Sequence, residues 1–272
     1  MRKFLAALVA VMSLCLFAGK SLAASEISIN GSTTILPFAQ STAEAFMKMN
    51  PDVRMSVSGS GSGNGAKALI DGTTDIAAMS REMKASEIDD AGKKGVKPFQ
   101  VTVAVDCIVP IVHPSNPVGD LSVEQLKKIY AGEITNWSEV GGPDKRIAVV
   151  GRDTSSGTFE VWAEKVMEGA EVTPGALVAA SSGAVVQTVA GNPLAIGYDS
   201  LGYVDAKLVK GLSINGVAGS PETARKGSIA TSRFLYMYTN GEPSGNVKKY
   251  LDFLTGPDGQ KYVAREGFVT LK

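Results

Sequence analysis

The sequence predicts an α/β protein built from two doubly wound α/β lobes, joined by extended crossovers, with a ligand cleft between them. Three observations predict this class. Strand-like and helix-like segments alternate after residue 25, which is typical of a parallel sheet. The apolar, β-branched run at 101–112 is long enough to pass from one lobe into the other, and the buried-strand pattern at 234–238 is expected to return the chain to the first lobe. We expect residues 24–108 and 233–272 to form the first lobe and residues 109–232 the second.

The N-terminal residues predict a signal peptide over 1–23. Met1, Arg2 and Lys3 form a cationic start, residues 4–19 are apolar apart from one serine, and small residues precede Ala24. Cleavage is expected after Ala23, with Ala24 as the alternative position. An uncleaved membrane anchor is the competing interpretation, but the apolar run is short for a span of about 20 residues. We therefore expect an exported, periplasmic protein.

Composition excludes several classes of function. Lys+Arg 27 balances Asp+Glu 27 in the 272 residues, and removal of the signal leaves 24 basic residues, so nucleic acid is not an expected partner. Cys107 is the single cysteine after the signal, which leaves no pair for an intramolecular disulfide and predicts a small buried apolar side chain. One histidine and one cysteine also argue against a zinc site of the usual type, and we expect no metal and no cofactor.

Periodicity places the individual elements. Apolar alternation predicts strands at 26–30, 53–57, 75–79, 147–150 and 194–198. Helical spacing, bounded by glycine, proline and capping residues, predicts helices at 35–49, 66–70, 122–130, 159–167, 184–190, 247–254 and 260–265.

Hydroxyl- and glycine-rich turns follow several predicted strands. They are residues 31–34 with Ser32, Thr33 and Thr34, residues 58–65 with Ser62, the pair Ser80 and Arg81, and residues 151–158 with Arg152, Ser156, Gly157 and Thr158. Such turns lie at the carboxyl ends of the strands, where ligands bind in open α/β sheets, and helix N-termini there attract anions. Each turn alone also fits a helix cap, a flexible loop or a surface arginine. Together they predict a cage for a small oxyanion.

A serine hydrolase is the alternative from another class. It would use Ser155 or Ser156 with His113, the single histidine of the chain. The segment lacks the G-x-S-x-G pattern, and the acidic residues Glu87, Asp89 and Asp90 are typical of a solvated helix face. We therefore expect a binding protein and not an enzyme.

The ordered motifs GSTTILPF, SGSGSGNGAKAL, DIAAMSRE, EQLKKIYAGEITNW, GRDTSSGT and AIGYDSL resemble the phosphate-binding components of bacterial phosphate ABC transporters (PstS-like proteins). The resemblance runs from about residue 26 to the C-terminus. It implies a type II periplasmic binding-protein fold, a phosphate held between two closing lobes, and an inner-membrane ABC permease as partner. We also expect a monomer. Sulfate, molybdate and tungstate are alternative ligands of such a receptor, and an adhesion or signalling protein with the same fold is a further alternative.

The resemblance also implies the binding residues. Ser32, Thr33 and Thr34 match the first phosphate-binding turn, Ser62 matches the second, and Arg152, Ser156, Gly157 and Thr158 match the third. Some family members carry an aspartate at the end of the third strand, which accepts the phosphate proton.

Ser80 stands at that position here, followed by Arg81. The serine is expected to replace the aspartate in part, and Arg81 to add a second charged donor. Asp153 or Asp75 is expected to supply the missing proton acceptor, or else to orient an arginine.

Overall fold

The computed structural model describes residues 25–272. The predicted signal peptide over 1–23 lies outside the described residues. Within the described part of the chain, no helix combines the length and the apolar character that crossing a membrane requires.

The described part of the chain begins with three parallel strands and the helices that follow them. In order these are β1 (Ser25–Gly31), α1 (Leu36–Met49), β2 (Val53–Gly59), α2 (Ser62–Ile70), β3 (Ile76–Met79) and α3 (Ala85–Lys93). β1 lies between β2 and β3 and is parallel to both. We call this part of the fold the first lobe. The carboxyl ends of its three strands lie at one edge of the sheet, and the turns that follow them project from that edge.

Two long strands cross between the two parts of the molecule: β4 (Pro98–Val112) and β11 (Ser232–Asn240). β11 is antiparallel to both of its neighbours, β3 and β4. The sheet is therefore mixed and not purely parallel, because the chain returns to the first lobe from the opposite direction. The predicted return strand at 234–238 is confirmed.

The second lobe follows β4 and contains three further parallel strands. Its elements, in order, are β5 (Asp120–Leu121), α4 (Val123–Ala131), β6 (Ala148–Arg152), α5 (Gly157–Trp162), β7 (Leu177–Ala179), α6 (Ser182–Ala190), β8 (Ala195–Ser200), β9 (Lys210–Gly211), β10 (Ser213–Ile214) and α7 (Pro221–Lys226). β6 is parallel to β7 and β8. After β11, helices α8 (Gly245–Thr255) and α9 (Pro257–Arg265) complete the described chain.

The strand β4 changes partner in its interior. Cys107 pairs with Ser232 of β11, whereas Ile108 pairs with Ser200 of β8. The main hydrogen-bonded path therefore runs β2-β1-β3-β11-β4-β8-β6-β7 through both lobes. The division of the chain at residues 108 and 232 stays a prediction, which this change of partner supports.

Each lobe has its own apolar core. The first contains Phe38, Met237 and Tyr250, while the second contains Trp137 and Trp162. Burial of this surface is the main favourable term in folding. Cys107 is free and fully buried, as predicted, and burial raises the pKa of its thiol to about 12.

Candidate functional site

Buried hydroxyls from both lobes meet at the carboxyl ends of the strands. The following side chains are each no more than 5% exposed: Ser32, Thr33, Thr34, Ser62, Ser80, Ser156, Thr158 and Ser182. We call this set the polar cluster. The first five follow β1, β2 and β3 of the first lobe, and the last three follow β6 and β7 of the second. The structure therefore brings the hydroxyls predicted from sequence together, and it adds Ser182.

Direct hydrogen bonds join the two sides of the polar cluster. Thr34 Oγ1 lies 2.9 Å from Thr158 Oγ1, and the Ser182 amide donates to Thr33 Oγ1 over 3.2 Å. Within the first lobe, Ser62 Oγ lies 3.3 Å from Ser80 Oγ. Because the contacts of Thr34 with Thr158 and of Ser182 with Thr33 cross from one lobe to the other, the lobes lie closed against each other at this edge.

Glycines allow the backbone to approach the polar cluster closely. Helix α2 begins at Ser62, four residues before the predicted start, because Gly61 adopts a φ of +100° that glycine tolerates and other residues rarely adopt. The alternative of a flexible loop is therefore wrong for residues 62–65. At the start of α5, a Cβ on Gly157 would lie 2.5 Å from Ser62 Oγ and 2.7 Å from Ser80 Oγ. Only glycine fits this contact between the lobes.

Helix N-termini also point into the site. α1, α2, α5 and α6 each follow a strand whose carboxyl end lies at this edge. Ser156 caps α5 by accepting a hydrogen bond from the Phe159 amide over 3.2 Å. The first amides of a helix have no partner within it and carry partial positive charge, which favours an anionic ligand.

Among the buried arginines of residues 25–272, Arg152 has the most unused donors. Its side chain is buried, its Nε donates to the Ala179 carbonyl over 3.0 Å, and its Nη1 donates to Ser182 Oγ over 3.3 Å. Nη2 lies 3.9 Å from Asp153 Oδ2, which is beyond a hydrogen bond. A guanidinium has five N–H donors, so Arg152 retains donors for a ligand.

The structure places Arg81 differently from our expectation of a second ligand donor. Its Nη1 and Nη2 donate to Glu87 over 2.8 and 2.7 Å, and its Nε lies 2.8 Å from Glu160 Oε2. Nη1 also donates to the Glu82 carbonyl. Because two carboxylates already occupy the guanidinium, Arg81 joins α3 to α5 instead of facing an anion. Glu87 is accordingly part of a mostly buried ion pair and not of a solvated helix face.

Arg233 is a site residue that our sequence reasoning missed. It lies near the start of β11, and its Nη1 donates to Thr158 Oγ1 over 3.0 Å and to the Ser80 carbonyl over 3.1 Å. Its Nε and Nη2 each lie 2.8 Å from Asp106 Oδ2. The arginine thereby connects both crossover strands to the polar cluster. In the sequence, Arg233 directly precedes the buried-strand pattern at 234–238, and a charged residue in that position is the signal that could have identified it.

Asp199 is the second residue that our reasoning missed, although it lies in the AIGYDSL motif. It is the fifth residue of β8, is fully buried, and accepts a hydrogen bond at Oδ1 from the Ser200 amide over 2.8 Å. Burial raises the pKa of its carboxyl to about 6, while the neighbouring Ser182, Arg152 and Arg233 act in the opposite direction. The site thus contains a carboxylate whose charge is sensitive to pH.

The two acids that we expected to accept a proton are engaged elsewhere. Asp75 accepts hydrogen bonds from the amide and hydroxyl of Ser28, each over 2.8 Å, at the amino end of β3. That end of the strand is opposite to the polar cluster. Asp153 accepts from the amide of Ser155 over 2.9 Å and also from its hydroxyl, which fixes the turn before α5.

Comparison with known proteins shows the family to which this chain belongs. Residues 18–258 match the model of a PBP superfamily domain. The phosphate-binding protein PstS of Bacillus subtilis is 34% identical over 92% of this chain and 82% of its own length. That of Borreliella burgdorferi is 31% identical over 90% of each chain. The chain belongs to the PstS-like family of the PBP superfamily.

Solved structures of PstS-like proteins share the fold. A Clostridium perfringens protein whose crystal structure contains bound phosphate superposes with a TM-score of 0.85 at 36% identity, covering 91% of this chain and 100% of the other. An ABC-type phosphate transport receptor from Vibrio cholerae gives a TM-score of 0.74 at 32% identity over 90% and 99% of the two chains. The predicted type II binding-protein fold is confirmed.

The PstS-like architecture separates the residues that a serine hydrolase would need. β4 is antiparallel to β8, with Val112 paired to Ile196, so His113 follows β4 at the amino end of β8. Ser155 and Ser156 follow the carboxyl end of β6, which is parallel to β8. The histidine and the serines therefore lie at opposite edges of the sheet, and His113 instead pairs with Ser115 at 2.7 Å.

Proposed function

We propose that this protein is an extracytoplasmic receptor that binds inorganic phosphate between its lobes and delivers it to the permease of an ABC transporter. One observation carries the proposal. Buried hydroxyls, helix N-termini and an arginine with unused donors converge from both lobes on one place. These groups are the ones that replace the water around an oxyanion. Membership of the PstS-like family supports phosphate as that anion.

The proposed ligands of phosphate divide between the lobes. They are Ser32, Thr33, Thr34, Ser62 and Ser80 on one side, and Arg152, Ser156, Gly157 and Thr158 on the other. Arg81 holds the lobes together instead of contacting the anion. A hydrogen bond to a charged group contributes about 1.5–3 kcal/mol, so several of them can offset desolvation and support micromolar binding, near −8 kcal/mol.

The N-terminal segment supports export and delivery. We propose that residues 1–23 are removed after translocation and that the mature protein acts as a monomer in the periplasm. Phosphate capture needs no covalent chemistry. Closure of the lobes around the ligand produces the form that a permease can recognise.

Calorimetric titration of the ligand-stripped protein tests the proposal. We expect phosphate to bind with micromolar or tighter affinity, and sulfate, molybdate and tungstate to bind far more weakly. Arg152→Ala is expected to weaken phosphate binding by roughly 100-fold, because the variant loses charge-assisted hydrogen bonds.

Arg146→Ala is the matched control, because it removes an exposed arginine of the same lobe. Its affinity for phosphate should equal that of the wild type. Equal affinity of Arg152→Ala and wild type for phosphate would refute the assignment of the site. If sulfate or molybdate bound more tightly than phosphate, that anion and not phosphate would be the ligand of the site.

A further inference from the structure

The carboxylate of Asp199 is an anomaly in a site for anions. Its Oδ2 atom is fully buried and has no hydrogen-bond partner among residues 25–272. A buried polar atom without a partner costs about 1–3 kcal/mol, and a charged one costs more. A carboxylate also repels any anion that approaches it. Both costs disappear if the bound ligand places an O–H group against this oxygen.

The position of Asp199 directs it toward the proposed phosphate site. Ala148 of β6 pairs in parallel with Ala195 of β8, and Arg152 and Asp199 each lie four residues further along. The two side chains are therefore at equivalent positions on neighbouring strands. Ser182, which accepts a hydrogen bond from Arg152 and donates its amide to Thr33, lies beside the same carboxylate.

The charged and titratable groups around Asp199 are few. Two guanidinium groups influence it, from Arg152 on β6 and from Arg233 on β11. Tyr203 lies near it after β8, and Tyr198 precedes it on the same strand. Burial raises the pKa of both phenols far above neutrality, so neither changes charge in the physiological range.

The remaining acid nearby has its own partners. Asp106 on β4 accepts hydrogen bonds from Arg233 and from the Ser200 hydroxyl, each over 2.8 Å or less. Asp199 differs from it because one of its oxygens is left without a donor. Among the buried carboxylate oxygens of residues 25–272, Oδ2 of Asp199 is the one without a hydrogen-bond donor, so it can accept one from a ligand.

We propose that Asp199 determines the anion specificity of the site by accepting a hydrogen bond from an O–H group of the bound oxyanion. The proposal rests on the proposed function. Phosphate and arsenate keep at least one proton near neutral pH and can make this bond. Sulfate has no proton to donate and would face an unshielded carboxylate. Discrimination then comes from the unpaired acceptor that sulfate leaves behind.

The proposal predicts a dependence on pH with a definite sign. Because burial raises the pKa of Asp199 to about 6, the group is ionised at pH 8 and mostly protonated at pH 5 in the ligand-free protein. A protonated Asp199 can donate a hydrogen bond to sulfate. Sulfate binding to the wild type should therefore strengthen as the pH falls from 8 to 5, and the preference for phosphate should shrink.

The test is a titration of wild type and Asp199→Asn with phosphate, arsenate and sulfate at pH 8 and pH 5. The asparagine side chain can donate as well as accept, so sulfate should bind the variant well. We expect the ratio of sulfate to phosphate dissociation constants at pH 8 to fall by roughly 10- to 100-fold in the variant. Between pH 8 and pH 5 the ratio in the variant should change less than the ratio in the wild type and in a charge control, both of which keep Asp199.

Asp144→Asn is that control, because it removes an exposed carboxylate of the same lobe. An unchanged ratio in folded Asp199→Asn would overturn the proposal, since it would mean that Asp199 serves only as a counter-charge. If the variant does not fold, titration of the wild type tests the proposal instead. A sulfate affinity of the wild type that does not change with pH would also overturn the proposal. Wild-type protein that prefers sulfate to phosphate and arsenate would instead refute the proposed function itself.

Discussion

At the scale of single residues, Gly157 makes a tight contact between the lobes. A methyl group there would lie within 2.7 Å of two serine hydroxyls of the other lobe. Gly157→Ala should therefore prevent full closure without disturbing the open form. Alanine also has a higher helix propensity than glycine, so stability without ligand should change by no more than about 1 kcal/mol. We expect phosphate affinity to fall by at least about tenfold, as measured by calorimetry.

Gly183→Ala is the control for this substitution. Gly183 lies in the first turn of α6, and nothing lies within 4 Å of the position that its Cβ would take. That variant should bind phosphate like the wild type. If Gly157→Ala also retained full affinity, the lobes would not close on the contact that the structure shows.

Apart from Ser182, the polar cluster was predictable from the sequence because its chemistry is local. Hydroxyls and glycines in a turn after a strand lie at the carboxyl edge of the sheet wherever the fold is an open α/β sheet. The roles of the arginines were not predictable in this way. Arg81 faces Glu160, which lies 79 residues further along the chain, and Arg233 faces Thr158. The arrangement of the two lobes determines these partners, and no local sequence pattern encodes that arrangement.

At the scale of elements, α5 is held in place by aromatic packing. Trp162 is fully buried at its end and stacks on Tyr198 of β8, with ring centroids 4.3 Å apart and planes at 7°. Tyr130 of α4 meets the same indole edge-on at 5.2 Å. The three rings fix the helix whose first turn carries Gly157 and Thr158.

Trp162→Ala should destabilise the protein by about 3–5 kcal/mol, because it leaves a large cavity in the second core. Urea unfolding followed by circular dichroism measures the change. Phe99→Ala, which truncates a ring that is 40% exposed, should cost only about 1 kcal/mol. Equal losses in the two variants would contradict the role of Trp162 as the anchor of α5.

The longer elements were predictable because their periodicity is strong, and several boundaries were not. The predicted helix at 159–167 divides into α5 and a π-helical turn over Ala163–Met167. Strands β5, β9 and β10 have two residues each, which is too short for any alternation to appear. Tertiary pairing determines such strands, and local propensity does not.

At the scale of the whole molecule, one carboxylate links the lobes outside the polar cluster. Glu160 on α5 contacts Arg81 Nε at 2.8 Å and Lys84 Nζ at 2.7 Å, and both cations belong to the first lobe. Glu160 and Arg81 are mostly buried. Because these pairs exist only while the lobes are together, they favour the closed form over the open one.

Glu160→Gln should weaken this closed form. The apparent affinity for a ligand falls with the population of the competent state, so we expect the phosphate dissociation constant to rise by about 3- to 10-fold, mainly through faster release. Stopped-flow kinetics with a fluorescent label at the cleft measures the release rate. Glu164→Gln alters an exposed side chain that pairs with its neighbour Lys165, and it should leave the rate unchanged.

The position of β11 has a consequence for how this chain can be made. β11 lies between β3 and β4, although it follows them by more than a hundred residues. While residues 232–240 are still missing, β3 and β4 each present an unpaired edge, and exposed edges promote aggregation. The second lobe lies between β4 and β11 in the sequence, so it can assemble before β11 is available. The strands of the first lobe must therefore be protected from aggregation until residues 232–240 have emerged.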